Sequence, residues 1–276
     1  MSATTDAAPL RAGAGEQRIR DAFAARRAEG RAALMPYIMG GFPDPRVSAD
    51  VARAYVDGGA DLVELGVPYS DPLADGPVIH AAGTTALGAG VRIADVLAIG
   101  EQLAADVPVV LMTYMNIVLR PGVEAFAARL RDHGVSGLIV PDLPVGPDAA
   151  PVVAACDAAG IAVVPLVAPT TAPERTVEVA AAARGFLYAV SVTGTTGERA
   201  SLSDTFADVV GRAKAGHDVP VGLGFGIGNG EQAAAAAAAG ADGVIVGSRL
   251  VRAAGEDDPV GAVSRVMADL SRGLGR

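Results

Sequence analysis

Tryptophan is absent from this sequence, and aromatic residues make up only 4% of it. So few rings argue against a base-stacking surface for single-stranded nucleic acid. They also leave the core to Ala, Val, Leu and Ile. Positive charge is in deficit: 22 Lys and Arg against 31 Asp and Glu give a formal net charge of −9. That balance disfavours nonspecific nucleic-acid binding. It also repels an anionic substrate at long range, so any phosphate must be held by a local site. The single cysteine, Cys156, excludes an intrachain disulfide and suits a reducing compartment. In its Ala-rich context "VVAACDAAG", with no His nearby, it reads as a small core residue and not a nucleophile. The three histidines, His80, His133 and His217, show no metal-ligand spacing and read as helix or loop surface. No apolar run approaches the ~20 residues of a membrane helix. Residues 1–16 lack the apolar core of a signal peptide and read as a disordered leader. Residues 17–276 then read as one domain of a cytoplasmic protein.

What is present is a repeating pattern. Eight short apolar stretches (33–39, 62–67, 107–112, 137–140, 162–167, 186–191, 219–225 and 243–247) are each followed by a turn rich in Gly, Pro or Asp and then by a helical pattern. Several are preceded by a Gly suited to a helix C-cap, as in "GGAD" and "AAGI". The run of seven alanines at 233–239 has strong helix propensity and reads as a closely packed helix. Another helix, "QRIRDAFAARRAEG", precedes the first strand, its arginines forming a solvated face. Strands alternating with helices predict a parallel sheet, and eight units in this length match an α/β fold of the (β/α)8 TIM-barrel type with an extra N-terminal helix. An open doubly wound sheet is the alternative, weakened because no GxGxxG follows the first strand.

Glu64 interrupts the apolar strand "DLVELGV". Side chains alternate along a strand, so if Val63 and Leu65 meet the helices, Glu64 points into the barrel near the C-terminal end of its strand. Burial there raises a carboxyl pKa toward the range a proton shuttle needs. A polar interior layer satisfied by hydrogen bonds is the plainer alternative. Asp75, in "PLADGP" after the same strand, is on its own an ordinary Asp-Gly turn residue. Beside Glu64 it becomes the second of two carboxylates that can divide the labour, one moving protons and one staying ionised. The glycine-rich segments "SVTGTTG", "GFGIGNG" and "VGSRLV" follow the sixth, seventh and eighth strands. Their backbone N–H groups and a helix N-terminus capped by Ser248 suit a phosphate. The expected ligand has a neutral or apolar body near Glu64 and a phosphate tail near Gly226 and Gly247.

The block "ELGVPYSDPLADGPVI" resembles the signature of the tryptophan synthase α-subunit family. The likeness continues in order through "LMPYIMGGFPDP", "LMTYMNIV", "VPDLPV", "FLYAVSVTGTTG", "GFGI" and "GSRLV". It implies retro-aldol cleavage of indole-3-glycerol phosphate to indole and glyceraldehyde 3-phosphate, with no cofactor in this chain. By that resemblance Glu64 is the acid/base and Asp75 stabilises positive charge at the indole N–H. Tyr188 is an active-site tyrosine and Tyr37 sits beside the indole, although residue type alone makes both tyrosines core residues. The resemblance places Thr196 in the loop that orders Asp75, and Gly197, Gly226, Gly247 and Ser248 at the phosphate. It also implies a pyridoxal-phosphate β subunit in an α2β2 assembly, faced by the loops holding Asp71, Pro72, Asn116 and Pro144. Three features depart from the family pattern: Phe42, where Asp is frequent; Gly228 and Asn229, where Ser is common; and a longer leader. A freestanding lyase and a noncatalytic regulatory subunit remain the rival readings.

Overall fold

Alternation along the strands sorts the apolar residues into two cores. Outward-facing Leu34, Ile38, Val63, Leu65, Leu111, Leu138 and Val244 belong to a large cluster shared with the helices. Inward-facing Met35, Leu62, Val110, Ile139, Val164, Phe186, Tyr188 and Ile245 fill a separate, smaller one. The computed structural model describes residues 13–190, 202–224 and 226–276. Within them lie β1 (Ala33–Met39), β2 (Val63–Gly66), β3 (Val109–Met112), β4 (Gly137–Ile139), β5 (Ala162–Val163), β6 (Leu166–Val167), β7 (Leu187–Val190), β8 (Val221–Gly224) and β9 (Gly243–Val246). All pairings are parallel, in the order β5-β4-β3-β2-β1-β9-β8-β7-β6.

The expected fifth strand, 162–167, is two pieces. Pro165 has no N–H for a ladder, and the chain changes neighbours around it. The Val164 N–H donates to the Leu138 carbonyl at 2.9 Å, and the Pro165 carbonyl accepts from the Tyr188 N–H at 3.0 Å. One segment thus pairs with β4 and then with β7, and the curled sheet closes as the expected (β/α)8 barrel. β1 fills its whole run, and the remaining strands are one to three residues shorter than the apolar runs that announce them. β8, for instance, starts after Pro220 and not at 219.

The extra N-terminal helix begins at Ala14, ahead of the expected Gln17, and runs to Ala28. Residues 14–16, expected in the leader, are therefore helical. Gly15 is the reason: its N–H donates to the Gly160 carbonyl at 2.9 Å, and a Cβ there would overlap the Ser136 carbonyl. The helix closes the N-terminal end of the barrel with Ile19 and Phe23, both buried in the lumen cluster. Each contributes roughly 1.5–3 kcal/mol by burial. The alanine run forms the helix Gly230–Ala238, with Ala233 and Ala236 fully buried. Its Gly230 lies so close to Gly273 of the last helix, Pro259–Gly273, that a side chain at either position would strike the other helix's backbone. Among the described residues no single helix is long and apolar enough to cross a membrane.

Candidate active site

Glu64 sits in β2 opposite Tyr37 of β1 and Val110 of β3, and is only 2% exposed. Its neighbours Val63 and Leu65 face the helices, so the carboxyl points into the lumen as the alternation requires. Among the described residues its Oε1 has no hydrogen-bond partner. Burial, helped by the negative charge of Asp75, pushes its pKa up to about 8.

Tyr37 and Tyr188 reach into the same space from β1 and β7, each 6% exposed. Burial holds both hydroxyls well above the usual range, with Asp75 and Glu64 adding to the effect at Tyr37 and Glu64 at Tyr188. The rings fit because the facing positions are glycines. A Cβ on Gly66 would overlap the Tyr37 hydroxyl, and one on Gly224 would stand 2.5 Å from the Tyr188 hydroxyl. Asp75, in the loop after β2, accepts a hydrogen bond from Tyr114 Oη at 2.9 Å. Burial raises its pKa, while the Tyr114 hydroxyl and the charge of His80 pull it back down.

These groups open onto one cavity of about 310 Å³, lined by Tyr37, Glu64, Asp75 and Tyr188 at one end and by Gly226, Gly247 and Ser248 at the other. Gly226 has φ +79°, a left-handed conformation that favours glycine. Thr196 and Gly197 lie outside the described residues. One expectation is corrected: Ser248 is the first residue of the helix Ser248–Ala254, and its cap is Gly247. The Gly247 backbone (φ −106°, ψ −84°) is what leaves the helical region, so the seryl hydroxyl is not needed as a cap.

A model of the tryptophan synthase alpha chain family matches residues 23–271. The chain belongs to this family. The tryptophan synthase alpha chain of Synechococcus elongatus is 44% identical over 260 residues, 94% of this chain and 97% of that one. That of Mycobacterium marinum is 47% identical over 238 residues, 86% of this chain and 88% of that one. A crystal structure of tryptophan synthase from M. tuberculosis superposes with a TM-score of 0.85 at 43% identity, covering 93% of this chain and 98% of its counterpart. The tryptophan synthase alpha subunit of Legionella pneumophila gives 0.83 at 33% identity, covering 94% and 98%.

Several lining residues were not among those expected from the sequence. Met112 and Ile245 form apolar wall; strand alternation was signal enough to find them. Arg249 and Arg252 line the glycine end, three apart on one helical face. Gln232 also lines it, and its Oε1 accepts the Gly228 N–H at 2.7 Å. The departure at Gly228 and Asn229 is thereby explained in part. Asn229 caps the helix Gly230–Ala238 by accepting the Gln232 N–H at 2.9 Å, and Gln232 engages the Gly228 donor.

The four residues expected at the partner surface follow β2, β3 and β4 on the same mouth of the barrel, Asn116 in the short helix Met115–Leu119 and the others in loops. Asp71, Asn116 and Pro144 are exposed and Pro72 is half-buried. Leu73, 81% exposed, and Leu119, 56% exposed, add apolar surface beside them. Phe42 packs against both the main core and the cluster around Tyr37, beside Gly255. Cys156 is buried, its thiol pushed up to about 12 by burial and by Asp157, as suits a core residue.

Proposed function

We propose that this chain cleaves indole-3-glycerol phosphate to indole and glyceraldehyde 3-phosphate as the alpha chain of tryptophan synthase. The observation that carries the reading is the shared cavity. A buried, protonatable Glu64 and Asp75 stand at one end, and glycine loops, a helix N-terminus and two arginines at the other. With a pKa near 8, Glu64 holds a proton at neutral pH and can give it to indole C3. The side-chain hydroxyl on the adjacent carbon then gives its proton to the Glu64 carboxylate left by the first transfer, which restores the acid. The C–C bond breaks, its electron pair restores the aromatic ring, and the hydroxyl carbon becomes the aldehyde. Asp75, kept ionised, offsets positive charge at the indole nitrogen while C3 is protonated. The apolar wall of Met112, Ile79 and Ile245 suits the indole body. The backbone donors around Gly226 and Gly247 suit the phosphate.

The β subunit is the expected partner, in an α2β2 assembly, bringing its own pyridoxal phosphate. The exposed Leu73, Leu119, Asp71, Asn116 and Pro144 are the surface offered to it. A cytoplasmic setting accords with the lone, buried cysteine. The deciding assay is indole release from indole-3-glycerol phosphate, with and without a β subunit. Release that β accelerates supports the reading, and no release under either condition overturns it. In the same assay the double variant R249Q/R252Q is expected to raise KM by about tenfold and leave kcat within about twofold, because the arginines attract the phosphate equally in ground and transition states. A fall in kcat at unchanged KM would remove them from the phosphate end.

A further inference from the structure

The loops after β2, β3 and β4 are tied together by one run of contacts that ends at Asp75. On the surface, Asn116 Nδ2 donates to Tyr69 Oη at 2.6 Å. The Tyr69 ring stacks on the Tyr114 ring, with centroids 4.8 Å apart and planes 24° from parallel. Tyr114 Oη accepts the Ala74 N–H at 3.1 Å and donates to Asp75 Oδ1 at 2.9 Å. From the loop after β4, Asp142 accepts the Met115 N–H through both carboxylate oxygens, at 3.0 and 3.2 Å. That fixes the start of the short helix Met115–Leu119, directly after Tyr114. Tyr114 is thus gripped on its ring face, on its backbone side and at its hydroxyl, and is only 3% exposed.

The proton transfers proposed above make no use of this tyrosine. Asp75, however, sits in a loop with few restraints of its own: Leu73 beside it is almost fully exposed, and Ala74 is exposed. We infer that Tyr114 is a positioning residue, whose hydroxyl aims the Asp75 carboxylate at the cavity and binds its ionised form, and that the stacked Tyr69 holds Tyr114 in place to do so. The inference rests on the reading of Asp75 as the charge-stabilising carboxylate. One hydroxyl serves two ends of the same short loop. It receives from the Ala74 backbone, which sets the loop's height, and gives to the Asp75 side chain, which sets its direction. A hydrogen bond to a carboxylate favours the charged form. The other groups acting on Asp75 are His80, which favours ionisation, and Glu64 and Tyr37, which share its cavity and are themselves raised by its charge.

The test uses the full chain with aspartate labelled at the side-chain carboxyl carbon, the Asp75 signal being assigned by its loss in D75N. In Tyr114→Phe the Asp75 titration is expected to move to higher pH, because the tyrosine's contribution to ionisation is gone. The acid limb of kcat for indole release should move with it. The turnover number should fall roughly tenfold with KM little changed, the size expected for one lost hydrogen bond to a charged group. Tyr69→Ala should shift the titration the same way through loss of the stack. An Asp75 titration unmoved in Tyr114→Phe, with or without a lower melting temperature, overturns the inference. So does a kcat within twofold of the parent chain. If the parent chain releases no indole, the functional reading fails separately, and the carboxyl titration still decides whether Tyr114 holds Asp75.

Discussion

Glu64→Gln is expected to reduce kcat for indole release by about 10³-fold, a loss typical of removing a general acid–base group, while the melting curve stays cooperative. Glutamine keeps the shape of the side chain and removes its proton chemistry. The position makes this decisive: Glu64 is buried in the lumen, one of its oxygens has no partner among the described residues, and its pKa stands near 8. The same variant carries a stability signature. A carboxyl whose pKa rises from 4.5 unfolded to about 8 folded binds its proton more tightly in the native state. Its contribution is fully present below about pH 4.5 and is lost as pH rises to about 8. The parent chain should therefore lose stability across that window, by a few kcal/mol at most, and the glutamine variant should lose less. The slope, not the level, is the measurement, because a buried amide carries its own unsatisfied polar cost at every pH. Denaturant melts of both chains between pH 5 and 9 check this. Parallel slopes would mean that Glu64 is ionised and solvated, contrary to its burial. Near-normal turnover in the variant would remove it from the proton transfer.

Asp75→Asn is expected to cost about 10²–10³-fold in kcat, the scale of losing one preorganised electrostatic partner of a developing charge, with a much smaller change in KM. Asparagine can still accept the hydrogen bond from Tyr114, so the substitution removes charge while keeping position. Tyr114→Phe does the reverse, and the pair separates the two contributions. A second consequence follows from the shared cavity. The negative charge of Asp75 helps hold the Glu64 pKa up, so in Asp75→Asn the Glu64 titration should fall. The residual activity should then lose its alkaline limb at lower pH than the parent. Steady-state kinetics from pH 6 to 10 read both effects. A raised KM at undiminished kcat would place Asp75 in ground-state binding instead.

The inward direction of Glu64 was legible because Val63 and Leu65 are unambiguous apolar partners for the helices, and a period of two leaves only one face for the residue between them. The convergence of Gly226 and Gly247 on the cavity was legible for a similarly local reason: each lies in a glycine-rich turn at the C-terminal end of a strand. What escaped depends on contacts that local periodicity does not encode. Tyr114 and Asp75 are 39 positions apart, and nothing local distinguishes a tyrosine that grips a carboxylate from one that fills a core. The hold of Gln232 on the Gly228 amide arises only where β8 gives way to the next helix. The start of the N-terminal helix at Ala14 is set by contacts of Gly15 with the barrel floor, a restraint that helical periodicity cannot carry. The break at Pro165 was not read from the sequence either: Pro36 lies within the unbroken β1, so a proline in an apolar run does not by itself mark where a strand divides.

That break gives the barrel the mechanics of a split ring. Around most of the hoop each joint is a ladder of several rungs, but at residues 162–167 the circle is completed by two-residue pieces on either side of a proline. Backbone amides there should exchange with deuterium faster than those of β1, β2 and β9, which makes this seam the place where the hoop can widen first without unzipping its neighbours.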